Sequence, residues 1–151
     1  MTDTASHLNP QHSRRRARRS AMQALYQWQL SQQNLRDIEQ QFLVDQDMSK
    51  VDVEYFRELL HKVPAKMQEL DTLLIEYCDR PIDQIDPVER AILRIGAFEL
   101  KNHPEIPYRV VLDESIKLAK QFGAEDGHKY INGILDKLAH QLRDIEIKAG
   151  F

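Results

Sequence analysis

Residues 53–77 read VEYFRELLHKVPAKMQELDTLLIEY. Apolar side chains recur in this stretch at alternating steps of three and four, which is the repeat of one face of an α-helix. They are Val53, Phe56, Leu60, Val63, Met67, Leu70, Leu74 and Tyr77. Pro64 lies beside this face and lacks a backbone donor, so we expect a kink or a break there, with both halves packing on one core.

The N-terminal third predicts two more helices. Ser13 is a candidate N-cap for a helix that runs through an arginine-rich segment to about residues 31–34. Its inward face would consist of Ala17, Ala21, Ala24, Leu25 and Trp28. A shorter helix is expected over residues 35–45. Residues 1–12 show no apolar repeat, and we interpret them as a flexible tail.

The C-terminal half predicts three helices. Asp86, Pro87 and Glu89 have the pattern of a capping box, in which Glu89 reaches back to the N-cap. A second helix is expected over residues 108–122, ended by Gly123 in the left-handed conformation. The last would begin near Glu125 or Asp126 and pass Leu142. The expected fold is all-α, with about seven helices and no sheet.

Length and composition indicate one globular domain, which we place at residues 13–151. The chain has 151 residues, of which 42% are hydrophobic and 30% charged. Pro81 is a candidate seam between an N-terminal and a C-terminal helical bundle. A single cysteine, Cys78, excludes an internal disulfide and favours a cytoplasmic location. No apolar stretch approaches the ~20 residues of a membrane span, and no signal peptide is apparent.

Motifs for catalysis are missing from the sequence. It contains no glycine-rich phosphate loop, no Gly-x-Ser-x-Gly motif and no Cys-x-x-Cys pair. The six histidines do not have the spacing of metal ligands. We therefore expect a protein that is not an enzyme, with neither a cofactor nor a metal.

The net charge of −3 is unevenly distributed. Residues 1–20 contain five arginines and one acidic residue, whereas residues 21–151 contain 16 basic and 23 acidic residues. The arginines are Arg14, Arg15, Arg16, Arg18 and Arg19. Guanidinium groups bind phosphates and stack on bases, so this run favours nucleic-acid binding. Cations at a helix start oppose the helix dipole, which also indicates a use for them. A membrane-surface or solubilising role is the alternative.

A second candidate binding segment, residues 122–133, reads FGAEDGHKYING. It predicts a turn followed by a helix start, where backbone amides favour an anion. His128 and Lys129 add hydrogen-bond donors, and Tyr130 offers a ring for base stacking. The alternative interpretation is a capped turn whose aromatic ring simply packs.

Five blocks, in this order and spacing, resemble the NusB family of bacterial transcription antitermination factors. They are RRRAR at 14–18, ALYQWQL at 24–30, YFRELL at 55–60, VERAILRI at 88–95 and FGAED at 122–126, the last followed by His128-Lys129 and Asn132-Gly133. The resemblance extends from about Arg14 to Leu138. It implies two roughly perpendicular helical bundles. It also implies binding to the boxA element of nascent RNA, jointly with the ribosomal protein NusE, in a complex loaded on RNA polymerase, notably at ribosomal RNA operons.

The resemblance also implies roles for individual residues. The arginine run would hold the RNA backbone, through Arg14, Arg15, Arg16 and Arg18. The turn in the second candidate segment would contact RNA bases or backbone through Asp126, Lys129 and Tyr130. NusE would be contacted by Tyr26, Asp83 and Glu89, although Glu89 could equally cap its own helix. Gly127 departs from the serine common in the family. The alternative function is a homo-oligomeric helical interaction protein, such as a homodimer, that masks its basic RNA-binding helix.

Overall fold

The computed structural model describes residues 9–150, and these contain eight α-helices and no strand. The helices are α1 (Pro10–Ser31), α2 (Leu35–Asp45), α3 (Val53–Ala65), α4 (Met67–Ile75), α5 (Pro87–Asn102), α6 (Tyr108–Phe122), α7 (Gly127–Leu142) and α8 (Asp144–Lys148). A short 3-10 turn, Ile82–Gln84, precedes α5. The all-α expectation is confirmed. No helix in the described range has both the length and the hydropathy needed to cross a membrane.

Helix α1 begins one turn earlier than the sequence predicted. Its N-cap is Asn9, whose Oδ1 accepts hydrogen bonds from the amides of Gln11 at 2.8 Å and His12 at 3.4 Å. Ser13, the predicted cap, lies inside the helix, and its hydroxyl donates to the Pro10 carbonyl at 3.1 Å. Residues 10–12 are therefore helical. The rest of the predicted tail, residues 1–8, lies outside the described residues.

The described chain divides into two compact units, with the boundary between Ala65 and Lys66. This boundary follows the break predicted at Pro64, since α3 ends at Ala65 and α4 begins at Met67. The expectation that both halves of the 53–77 segment share one core is wrong, because α3 packs in the first unit and α4 in the second. The predicted seam at Pro81 lies within the second unit.

The first unit consists of α1 packed on α2 and α3. Its core comes from the predicted apolar faces, and Trp28 alone of the inward residues predicted for α1 is only half-buried. Phe42 of α2 stacks on Phe56 of α3 with 5.9 Å between ring centroids. Fully or almost fully buried members are Ala17, Ala21, Leu25, Ile38, Leu59, Leu60 and Val63.

The second unit is built around α5, which packs against α4, α6 and α7. Gly96 permits the close approach to α7, since a Cβ there would lie 2.7 Å from Leu135 Cδ1. Arg94 of α5 forms a two-pronged ion pair with Asp71 of α4, at 2.9 and 2.8 Å. This arginine is nearly buried, so the pair fixes the contact between the two helices.

Arg143, between α7 and α8, fastens the end of α5. Only 6% exposed, its guanidinium donates to four main-chain carbonyls and to Glu146 Oε1 at 2.6 Å. The carbonyls belong to Glu99, Leu100, His103 and Ile106, at 2.9–3.3 Å. Glu146 also accepts the amide of Tyr108 at 2.9 Å, so it caps α6. One side chain thereby supplies a donor to the Leu100 carbonyl in the last turn of α5 and fastens the loop that follows.

Candidate nucleic-acid interface

The arginine run lies on two sides of α1. Arg14 and Arg18 cover the ring of Tyr55 from α3, with guanidinium carbons 5.0 and 5.7 Å from its centroid. Arg18 is only 3% exposed, so the structure does not present it to a ligand as the sequence led us to expect. The short step from Arg14 to Arg18 turns both side chains to the same face, where the buried Tyr55 provides a partner for cations.

The outer side of the run carries Arg15 and Arg16, both half-buried, and the exposed Arg19. Since α1 begins at Pro10, these arginines lie beyond its first turn. The helix dipole therefore does not oppose these cations, contrary to the expectation from the sequence, because its effect is confined to the first turn. What remains is a concentration of positive charge on a helix whose first turn has no acidic residue.

The second candidate segment, between α6 and α7, forms a tight turn. Gly123 is extended, with φ −85° and ψ 176°, so the left-handed cap predicted there is wrong. Glycine is needed instead because a Cβ would lie 2.7 Å from the Ala119 carbonyl oxygen. Asp126 takes the left-handed conformation, with φ 64°. Its exposed carboxylate lies 3.4 Å from Lys129 Nζ.

Glu89 ties the start of α5 to this turn. Asp86 caps α5 as predicted, by accepting the amides of Val88 at 2.9 Å and Glu89 at 3.2 Å. The carboxylate of Glu89, however, lies against this turn. It lies so close to Gly127 that a Cβ there would be 2.8 Å from Oε2. The predicted capping box is thus replaced by a contact across the unit.

Tyr130 is held by the segment that follows α4. Its hydroxyl donates to Asp79 Oδ1 at 2.8 Å, and the guanidinium carbon of Arg80 lies 4.9 Å from its ring centroid. Arg80 also bonds both oxygens of Asp79, at 2.8 and 3.1 Å. We call these three residues the Asp79–Arg80–Tyr130 cluster. Tyr130 was predicted from the sequence, whereas Asp79 and Arg80 were not among the predicted binding residues.

The predicted site residues thus fall into separate groups. Asp126, Lys129 and Tyr130 lie together with Glu89 in the second unit. The arginine run lies on α1 in the first unit, which also carries Tyr26. Asp83 lies in the 3-10 turn, where its side chain is exposed. Asp83 and the 124–130 turn both belong to the second unit.

Tyr26 lies in an exposed apolar patch on α1. Its side chain is 37% exposed, and Leu30, one helical turn further on, is 59% exposed. Glu89, expected to face the same protein partner, is only 8% exposed. A contact to Glu89 would therefore be limited to the small part of its side chain that reaches the surface.

Electrostatic surroundings distinguish the carboxylates of this region. Hydrogen bonds from Arg80, then from Tyr130, hold the pKa of Asp79 at about 2. Burial, followed by the nearby charge of Asp86, raises the pKa of Glu89. Burial also raises the pKa of the Cys78 thiol, which keeps it in the less nucleophilic protonated form. Within residues 9–150, no group of three or more His, Cys, Asp or Glu side chains could hold a metal ion.

Fold and site together define an all-helical protein with two candidate surfaces for a polyanion. Residues 15–140 match the NusB family. The transcription antitermination protein NusB of Alcanivorax borkumensis is 58% identical over 134 residues, covering 89% of each chain. The chain belongs to the NusB family, which is a family of antitermination proteins rather than enzymes.

Solved structures show the same fold. NusB of T. maritima superposes with a TM-score of 0.74, with 28% identity over 89% of this chain and 93% of that one. A structure of the antitermination factors NusB and NusE in complex with double-stranded RNA gives a TM-score of 0.71, with 24% identity over 84% and 96%.

The variant Glu89→Gln tests the surroundings of this buried carboxylate. A raised pKa means that the folded protein binds a proton more readily than the unfolded chain, so stability falls as pH rises through that raised value. Glutamine keeps the size of the side chain and one of its oxygens but removes the charge. At pH 7 we expect an unchanged or higher melting temperature, by at most about 2–4 °C. The difference should shrink as the pH falls toward the ordinary pKa of 4.5.

Thermal unfolding of wild type and variant between pH 4 and pH 8 measures this difference. The exposed Glu125 lies in the same turn, so Glu125→Gln is the matched control and should leave the pH profile unchanged. If Glu89→Gln is instead clearly less stable at pH 7, the favourable interactions of the charged carboxylate outweigh the cost of burying it, and the expectation is wrong.

Proposed function

We propose that this chain is a transcription antitermination protein that binds the boxA element of nascent RNA together with NusE. The observation that carries the proposal is the 58% identity, over 89% of the chain, to a protein named transcription antitermination protein NusB. The bound pair would help load the antitermination complex on RNA polymerase, including at ribosomal RNA operons. Acting on nascent bacterial RNA places the protein in the cytoplasm.

The arginine face of α1 supports a role in holding the RNA backbone. Arg14, Arg15 and Arg16 carry three adjacent positive charges, and none of them is fully buried. Bidentate bonds to phosphate release counterions, so RNA binding should weaken with salt. Arg18 would act through the fold, because it is only 3% exposed.

The 124–130 turn supports a role in contacting unpaired nucleotides. Lys129 and Asp126 are exposed and can offer a donor and an acceptor to base edges or to the backbone. Tyr130 is partly exposed and supplies an aromatic ring of the kind on which unpaired bases stack. Each unit thus contributes one surface to what we propose is a single RNA-binding domain.

Tyr26, Asp83 and Glu89 are the proposed contacts to NusE. Tyr26 and Leu30 supply exposed apolar area on α1, and Asp83 supplies an exposed negative charge. Outside the first 20 residues, acidic side chains outnumber basic ones by 23 to 16, which favours a cationic partner such as a ribosomal protein. A related fold has been solved as a complex of NusB, NusE and double-stranded RNA.

Fluorescence anisotropy with a labelled single-stranded boxA RNA tests the function. A scrambled RNA of equal length serves as the control, each measured with and without NusE at two salt concentrations. We expect boxA to bind more tightly than the scrambled RNA and to bind more tightly still with NusE. Equal weak binding to both RNAs, unaffected by NusE, would contradict the proposal. Sedimentation of the free protein tests the alternative, a homodimer that releases its basic helix only on dissociation.

The variant Asp83→Lys tests the NusE surface. Reversing an exposed charge at a contact with a basic protein should weaken binding of NusE by roughly tenfold, mainly through slower association. Stability should change by less than about 0.5 kcal/mol, since the side chain lies on the surface. Calorimetry with NusE measures the affinity. Asp113→Lys, an exposed acid of α6, is the control with the same change in charge. A loss of helicity in Asp83→Lys would mean that Asp83 is structural.

A further inference from the structure

The Asp79–Arg80–Tyr130 cluster lies on the surface. The side chain of Arg80 is 45% exposed and that of Asp79 is 62% exposed. Two other arginines of the second unit that form ion pairs are nearly buried, Arg94 with a side chain 9% exposed and Arg143 with one 6% exposed. Those two fasten helices to each other, whereas Arg80 pairs with its neighbour in the chain. Exposed ion pairs of this kind add little to stability.

Arg80 is nevertheless fixed in place. Both oxygens of Asp79 bind it, and its guanidinium lies over the ring of Tyr130. Asp79 is bound in turn by the Tyr130 hydroxyl. A planar cation is therefore ordered beside an aromatic ring next to Lys129, which is itself exposed. Guanidinium planes and aromatic rings are the two kinds of side chain on which unpaired RNA bases stack.

We propose that Arg80 and Tyr130 together bind one unpaired nucleotide of the RNA, with Asp79 holding Arg80 in position until a phosphate replaces the carboxylate. This inference rests on the proposed function and extends its surface beyond the 124–130 turn. The base stacks on the guanidinium, which the Tyr130 ring supports from its other side, and the phosphate takes the hydrogen bonds that Arg80 makes to Asp79 in the free protein.

In this exchange one anion, the RNA phosphate, replaces another, the Asp79 carboxylate, as the partner of Arg80. With a pKa of about 2, Asp79 is ionised at neutral pH. Burial and the hydrogen bond to Asp79 raise the pKa of Tyr130 to about 12, so its hydroxyl remains a donor. No proton is taken up when phosphate replaces the carboxylate. The remaining negative charge of Asp79 repels the RNA, and for this reason Asp79 limits affinity.

Three variants of the full chain test the proposal with the anisotropy assay. Arg80→Gln should weaken binding of single-stranded boxA RNA by roughly fivefold to tenfold and reduce the salt slope by about 0.7. Asp79→Asn should tighten binding and steepen the slope, because it removes the competing anion. Lys137→Gln is the matched control, since Lys137 is an exposed cation of α7 in the same unit. A fully paired RNA of the same sequence should show a smaller effect of Arg80→Gln, because its bases are not free to stack.

The outcomes separate this proposal from the function on which it rests. If wild type binds boxA RNA but Arg80→Gln behaves like Lys137→Gln, the Arg80 subsite is wrong and the proposed function stands. If wild type binds no RNA, both are wrong. Weaker binding by Asp79→Asn would overturn the exchange with phosphate and make Asp79 a positioning residue. An equal loss for single-stranded and paired RNA would overturn the stacking of a base.

Discussion

Replacing Arg143 with methionine is expected to lower the free energy of unfolding by about 3–5 kcal/mol, the usual cost of removing one partner from a buried ionic contact. Arg143 is 6% exposed and bonds four carbonyls and Glu146. Methionine fills much of the volume but donates nothing. The carbonyls of Leu100 and Ile106 would lose the donor that Arg143 supplies, and Glu146 would keep a carboxylate without its cation.

Urea unfolding followed by circular dichroism measures this loss. Lys148→Met, which removes the exposed ion pair with Asp144, is the matched control and should change stability by less than about 1 kcal/mol. The only tryptophan, Trp28, reports on the first unit, so its fluorescence distinguishes loss of the second unit from loss of the whole fold. A decrease below about 1 kcal/mol for Arg143→Met would contradict the structural role.

Much of the helical content could be predicted because it depends on local patterns. Helices α2 and α6 have the predicted limits, residues 35–45 and 108–122. The break after Pro64 and the start of α5 at Pro87 were also predicted. Proline lacks an amide donor, so it marks helix starts and breaks from the sequence alone. Apolar residues repeating at three and four identify which face is buried.

Local chemistry was less decisive where several residues could do the same task. Asn9 and Ser13 can both cap a helix, and Asn9 does so with Pro10 at the first helical position, where proline is favoured. Gly123 was expected in the left-handed conformation, but its role is to approach the Ala119 carbonyl, and Asp126 takes the positive φ. From the sequence, Arg18 could not be distinguished from the neighbouring arginines, because its burial depends on how α1 packs against α3.

Contacts between distant residues were outside the reach of sequence patterns. Tyr130 and Asp79 are 51 positions apart, and Arg143 and Leu100 are 43 apart. Helical periodicity places each residue on a face but does not say which faces meet. Glu89 shows the consequence, because its position predicted a capping box while its carboxylate lies against Gly127. Contacts of this kind, which join separate helices, depend on tertiary packing and cannot be predicted from local sequence patterns.

Replacing Arg14, Arg15 and Arg16 with alanine is expected to weaken binding of boxA RNA on the order of 10- to 100-fold near physiological salt. Each single-stranded phosphate that a cation neutralises adds about 0.7 to the salt slope, so losing three contacts should flatten it by roughly two. The loss should be nearly uniform across RNA sequences, because phosphate contacts do not read bases. Anisotropy over a series of salt concentrations measures both quantities.

A second triple variant separates a specific surface from general charge. Arg36 and Lys62 of the first unit and Lys137 of α7 are exposed cations outside the arginine run, and replacing them with alanine changes the net charge equally. Arg14 also packs on Tyr55, so circular dichroism must first establish that the arginine variant keeps its helices. Equal losses in both triple variants would mean that RNA responds to total charge, and the role of the arginine face would then be wrong. A selective loss in a folded variant places the RNA backbone along α1.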